Sequence, residues 1–129
     1  MKLRQFVINL AVSEAKKSPH NKYKLGCVIF NKKRILSVAH NKPFSWSSKV
    51  HPRFKNWPTS IHAEVAAIIS ARTELKDSKL LIVRINKANQ LRLAKPCKHC
   101  LQYINYVGIR IVYYSISEYP YFDSFSVRH

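Results

Sequence analysis

The sequence predicts a single α/β domain in three layers, with helices packed on both faces of a mixed sheet of about five strands. Two observations carry that expectation. Segments with helical hydrophobic spacing alternate with β-favouring runs in the order helix, strand, strand, helix, strand, helix, strand. Hydrophobic residues, 47% of 129, are spread along the whole length with no repeat and no linker. A chain of that size buries about two-thirds of the surface its unfolded form exposes, so one core spanning residues 1–129 is expected.

The elements follow in order. Leu3, Phe6, Val7, Leu10, Ala11 and Glu14 recur at helical spacing over 3–17, and Pro19 limits any continuation. Residues 25–30 and 34–39 are β-favouring runs separated by the polar Asn31-Lys-Lys33, which predicts a hairpin. From His40 to Ser60 the chain has three prolines and the rings of Phe44, Trp46, His51, Phe54 and Trp57. A loop of that length in a compact domain points to a functional frame, and its rings would either stack on bases or pack under the loop itself. Helical spacing returns from Ile61 to Arg72, with Ser60 as the expected N-cap. Lys79 to Ile85 predicts a strand, and a short apolar stretch follows through Leu91 and Leu93. Pro96 is expected to open a third helix carrying Leu101, Ile104 and Val107, with Gly108 as its left-handed cap. Ile109 to Tyr114 reads as a last buried strand, while the short aromatic tail 117–129 is left unassigned.

Composition narrows the partners. There are 23 Lys plus Arg against 6 Asp plus Glu, a formal net charge of +17. Between Glu14 and Glu64 there are eleven basic residues and no acidic one; between Asp77 and Glu118 there are seven and none. A small domain needs a net charge of only about 2–8 for solubility, so a polyanionic partner is expected, with weak nonspecific adhesion as the alternative. The start of the chain lacks an unbroken apolar run and a small-residue cleavage site, and no segment is long enough to span a bilayer, so no membrane association is expected. Three cysteines, two of them three residues apart, do not suggest a disulfide framework; a reducing, cytoplasmic setting is expected.

Two motifs carry chemistry: His62-Ala63-Glu64 and Pro96-Cys97-Lys98-His99-Cys100. Each falls at an expected helix start, where the positive end of the helix dipole favours thiolate over thiol. Two thiolates and a neutral imidazole are three ligands for Zn²⁺, one short of a closed structural site, and the open position admits a water. A carboxylate beside that water can move protons, which assigns Glu64 as general acid and base. H-x-E alone is common, and P-C-x-x-C alone also fits a dithiol redox pair or half a zinc ribbon. Together they form the known H-x-E and P-C-x-x-C signature of zinc-dependent nucleobase deaminases. Cys27, inside an apolar strand, is expected to be a buried small hydrophobe, and His99 to face away from the metal. Tyr113, Tyr114, Tyr119 and Tyr121 suggest strand and edge packing.

On these residues the chain resembles the cytidine and deoxycytidylate deaminase superfamily, which also contains tRNA adenosine deaminases and polynucleotide cytidine deaminases. LGCVIFNKKRILSVAHN resembles the family's first hairpin, IHAEVAAI its first zinc helix, and KPCKHCLQYINYVGIRIVYYS its second zinc helix and following strand. The resemblance implies a cytidine-deaminase-like fold with His62, Cys97 and Cys100 as zinc ligands and Glu64 as the catalytic acid and base. It also implies substrate contacts from Asn41, the backbone of Ala63 and Pro96. Leu93 stands where relatives usually carry Ser or Thr. The implied activity is hydrolytic deamination of cytosine in a nucleotide or single-stranded nucleic acid, and the implied state is a homo-oligomer. Asn41-Lys-Pro43 and Asn56-Trp-Pro-Thr59 echo the tRNA adenosine branch, the first alternative. A non-catalytic zinc module that binds nucleic acid is the alternative of another class.

Overall fold

In the computed structural model the described residues are 3–19, 24–43, 60–61, 63–71 and 73–127. The elements run α1 (Gln5–Lys16), β1 (Lys24–Phe30), β2 (Ile35–His40), β3 (Lys42–Pro43), β4 (Ser60–Ile61), α2 (Ala63–Ser70), β5 (Lys79–Ile85), β6 (Leu91–Arg92), α3 (Lys98–Val107), β7 (Ile111–Ser115) and β8 (Phe122–Ser126). A six-stranded sheet has the order β2-β1-β5-β7-β8, with β6 paired to the end of β5. β5 and β7 are parallel and joined through α3, and the other pairs are antiparallel, so the sheet is mixed.

Strand β5 lies at the centre, with Leu80, Leu81, Ile82, Val83 and Ile85 fully buried. Its continuous apolar run is what a strand covered on both faces requires. Burial of each such side chain contributes about 1.5–3 kcal/mol. Alternate β5 residues divide between two clusters. Leu80 and Ile82 pack with Ala63, Val65, Cys100 and Ile104 of α2 and α3, while Leu81, Val83 and Ile85 pack with Val7, Ala11 and Ala15 of α1. Two helices therefore cover one face and α1 the other, the three-layer arrangement expected from the element order.

Gly26 sets how closely α1 lies on the sheet. A Cβ at that position would fall on the carbonyl oxygen of Ala11 and the amide nitrogen of Ala15, both backbone atoms of the helix. Helix α3 ends at Gly108, which is left-handed at φ 87°, as expected for its cap.

Two local expectations are corrected, and the unassigned tail gains a strand. Ser60 is not an N-cap; it belongs to β4, whose Ser60 and Ile61 pair with Pro43 and Lys42 of β3. Pro96 does not open the third helix: Cys97 is its N-cap and Lys98 its first residue, so the proline lies one position outside. The tail forms β8, an antiparallel edge strand on β7. The aromatic stretch from Phe44 to Trp57 lies outside the described residues.

Candidate active site

The β3–β4 pair brings the end of β2 alongside the start of α2. Asn41 directly precedes β3, and Ile61 of β4 stands two residues before Ala63, the first residue of α2. The expected ligand His62, between them, lies outside the described residues. Helix α2 is apolar apart from Glu64 and its terminal Ser70, and every residue from Ala63 to Ile68 is buried. A helix apolar on all sides is enclosed by neighbours, here β1 and β2 below and α3 beside it. Its only acidic residue is thus taken out of solvent, and Glu64 is 3% exposed. Its place in the first helical turn puts the carboxylate at the positive end of the helix dipole.

The second motif meets it from α3. Cys97, at the N-cap, is extended at φ −73° and ψ 170° and makes no side-chain cap hydrogen bond, so its thiol is not used to end the helix. Cys100, in the first turn, is fully buried, and the Sγ atoms of the two cysteines are 3.5 Å apart. The Cys97 thiol beside it, burial and the negative charge of Glu64 push the Cys100 thiol well up from its ordinary value. Cys27 of β1 is buried on the same face, and burial together with Glu64's charge pushes its thiol up too. The carboxylate of Glu64 therefore acts on both thiols. Cys27 is the small buried hydrophobe expected, and it also lies within electrostatic reach of the acid, a proximity the sequence does not show because β1 and α2 are distant in the chain.

Asn41 is 5% exposed, and its position is set by Leu25 on β1. The Asn41 backbone N–H donates to the Leu25 carbonyl at 3.2 Å, and the Leu25 N–H donates to Asn41 Oδ1, also at 3.2 Å. Ala63 is fully buried as the first residue of α2, a place whose backbone N–H has no acceptor within its own helix. Pro96 is buried next to Cys97, His99 is exposed as expected, and Leu93 is 55% exposed. Tyr113 and Tyr114 are buried strand residues, whereas Tyr119 is 76% exposed and sits tilted against Tyr121, with ring centroids 6.1 Å apart.

The donor set fits zinc. Two thiolates sharing one tetrahedral zinc at about 2.3 Å stand about 3.8 Å apart, close to the 3.5 Å separation here. A cation is also what would allow crowded thiols beside a carboxylate to ionise, since metal coordination deprotonates a thiol. Among the described residues the two cysteines and Glu64 do not form a three-ligand cluster; the expected third donor is His62.

The chain superposes on the crystal structure of dCMP deaminase from the cyanophage S-TIM5 in apo form with a TM-score of 0.65 and 19% identity, covering 87% of this chain and 81% of that one. The same enzyme in complex with dCMP and dUMP gives 0.64 and 18%, covering 89% and 85%. A structure from studies of A-to-I editing by tRNA:A34 deaminases at the wobble position of transfer RNA gives 0.57 and 19%, covering 89% and 73%. No curated protein sequence matches. The described helices are too short or too polar to cross a membrane. The model of the cytidine and deoxycytidylate deaminase zinc-binding region matches residues 1–116, and with both signature motifs inside that span the chain belongs to this deaminase family.

Proposed function

We propose that this chain is a zinc-dependent hydrolytic deaminase that converts cytosine to uracil, with release of ammonia, in a cytidine nucleotide or a single-stranded nucleic acid. His62, Cys97 and Cys100 hold the metal, and Glu64 moves the protons. The observation that carries this is the burial of Glu64 at the start of an apolar helix, within electrostatic reach of the Cys100 thiol. A buried carboxylate is costly, and strongly perturbed clusters of this kind gather at catalytic sites.

Zinc, when bound, supplies Lewis acidity that makes water a nucleophile near neutral pH. Glu64 takes a proton from the attacking water and delivers it to the ring nitrogen beside the amino-bearing carbon. It then carries the second proton to the amino group, so that the carbon–nitrogen bond breaks and ammonia leaves. Ala63 offers a backbone N–H to the base edge. With Oδ1 engaged by Leu25, Asn41 offers the donor of its carboxamide nitrogen to a substrate oxygen. Pro96 packs beneath the bound base.

The fold shared with a dCMP deaminase supports a nucleotide substrate. Adenosine in tRNA is the second reading, supported by the shared fold of a tRNA deaminase and by Asn41-Lys-Pro43, whose last two residues form β3 and pair with the β4 strand just ahead of α2.

The test is ammonia release from CMP, dCMP, single-stranded DNA and RNA, and tRNA by the purified protein, with zinc measured in the same samples. Glu64→Gln is expected to lower turnover at least ~10³-fold, within the range for general acid–base catalysis, while retaining one zinc per chain. Cys100→Ser is expected to lose both metal and activity. A wild-type protein that carries zinc and binds nucleic acid yet releases ammonia from none of these substrates would reject catalysis in favour of a zinc-containing binding module.

A further inference from the structure

Glu14 and His40 form a half-buried contact between α1 and the end of β2, and neither residue belongs to the signature motifs. The His40 Nδ1–H donates to Glu14 Oε1 at 3.0 Å, and Lys17 Nζ donates to Glu14 Oε2 at 3.1 Å. The side chains of Glu14 and His40 are 12% and 18% exposed. A carboxylate is only an acceptor, so the contact places a proton on Nδ1.

The position of this contact gives it meaning. His40 is paired across the ladder with Gly26, the residue on which the α1 backbone rests. It therefore belongs to the α1 face of the sheet, and Glu14 reaches it from the turn between Ala11 and Ala15 that Gly26 admits. The next residue, Asn41, stands opposite Leu25, whose side chain packs into the α2 and α3 cluster. Adjacent strand residues face opposite sides, so position 41 belongs to the face that holds Glu64 and the cysteines. β2 ends at His40 and the chain turns into β3 at Lys42. The two hydrogen bonds between Asn41 and Leu25 tie this strand terminus to β1, and the Glu14 contact ties it to α1.

We propose that Glu14 and His40 are positioning residues for substrate binding: by clamping the end of β2 to α1, they hold Asn41 in register on the catalytic face. The inference rests on the substrate role given to Asn41 above. Glu14 and His40 touch no substrate; they act through the backbone they fix. Loss of the clamp would let the 40–42 segment sample other positions, which weakens ground-state and transition-state binding alike and so appears in KM more than in kcat.

The experiment is steady-state kinetics on the substrate that the wild-type protein turns over, with Glu14→Ala, His40→Ala, the double variant, Glu14→Gln and Lys17→Ala. Glu14→Ala and His40→Ala are expected to raise KM about tenfold with kcat within about twofold, a transition-state loss of about 1.4 kcal/mol. The double variant is expected to be no worse than either single one, because the two side chains act as one contact. Glu14→Gln keeps an oxygen acceptor for the His40 Nδ1–H and is expected to stay within about threefold of wild type. Lys17→Ala, which leaves that bond in place, is expected to change nothing. Glu64→Gln and Asn41→Ala run alongside. If Glu64→Gln abolishes turnover while Glu14→Ala and His40→Ala leave KM unchanged, or if their effects add, the clamp is wrong and the deaminase assignment stands. A wild-type protein inactive on every substrate overturns the assignment and the clamp together.

Discussion

Glu14 and Glu64 are two carboxylates withdrawn from water for different reasons. Glu64 faces thiols across an apolar helix, and its environment becomes balanced when a cation joins it. Glu14 already has cationic or hydrogen-bonding partners. Its burial pushes its carboxyl up, but the hydrogen bonds from His40 and Lys17, with their charges, outweigh this and hold it below 4.5. The sign of the stability effect follows. A carboxyl whose folded value is depressed stabilises the fold above its unfolded value, and that contribution is lost as pH falls through the folded one. The wild-type protein is therefore expected to lose more stability between about pH 5 and pH 3 than Glu14→Gln, read as the drop in urea midpoint over that window. Equal drops would show that the pair contributes no linkage. Neither partner of this contact stood out in the sequence, since a lone Glu and a lone His 26 residues apart give no spacing signal. Cys97, Cys100 and Glu64 stood out in the sequence because two short motifs fix residue types at close spacing, and the structure carries them at the starts of α2 and α3.

Elements were legible where their own periodicity settles them. The β5 boundaries, the β1–β2 hairpin and the Gly108 cap follow from local residue patterns, whereas the α1 stripe holds at Val7 and Ala11 but not at Phe6, which is 57% exposed. The β3 and β4 strands did not, because two-residue strands have no period and exist only through pairing with each other. Strand β8 was hidden for a related reason. Phe122 packs into the α1 cluster and Phe125 into the α2 and α3 cluster, so an edge strand that contributes one ring to each face shows no alternation of its own. At Gly26 the backbone of α1 packs directly onto β1. Gly26→Ala is expected to destabilise the protein by about 3 kcal/mol, because backbone atoms of α1 cannot rotate away as a side chain would. Chemical denaturation measures it, and a loss below about 1 kcal/mol would mean that α1 can lift off the sheet at little cost. The same variant should separate Glu14 from His40 and raise KM as the clamp variants do.

For the whole molecule the dominant fact is charge. The excess of cations gives a net +17, far more than one nucleotide phosphate can use. If the substrate is a single strand, neutralising about six phosphates makes affinity fall about 300-fold between 50 and 200 mM salt, whereas a free nucleotide makes fewer such contacts. Fluorescence anisotropy with a 20-nucleotide single strand is expected to show a fall of at least ~100-fold over that range. A flat profile would exclude a polynucleotide substrate and leave the free nucleotide. Sequence alone determined the α/β alternation, the central strand, the two signature motifs and the cationic excess, because each is written in residue type and near-neighbour spacing. Tertiary structure alone decided that α2 is enclosed so that Glu64 is buried, that Cys27 lies within its electrostatic reach, that paired two-residue strands follow Asn41 and precede α2, and that α1 grips the end of β2. Those outcomes depend on segments far apart in the chain meeting across a sheet, and no local pattern records which distant neighbour a side chain will face.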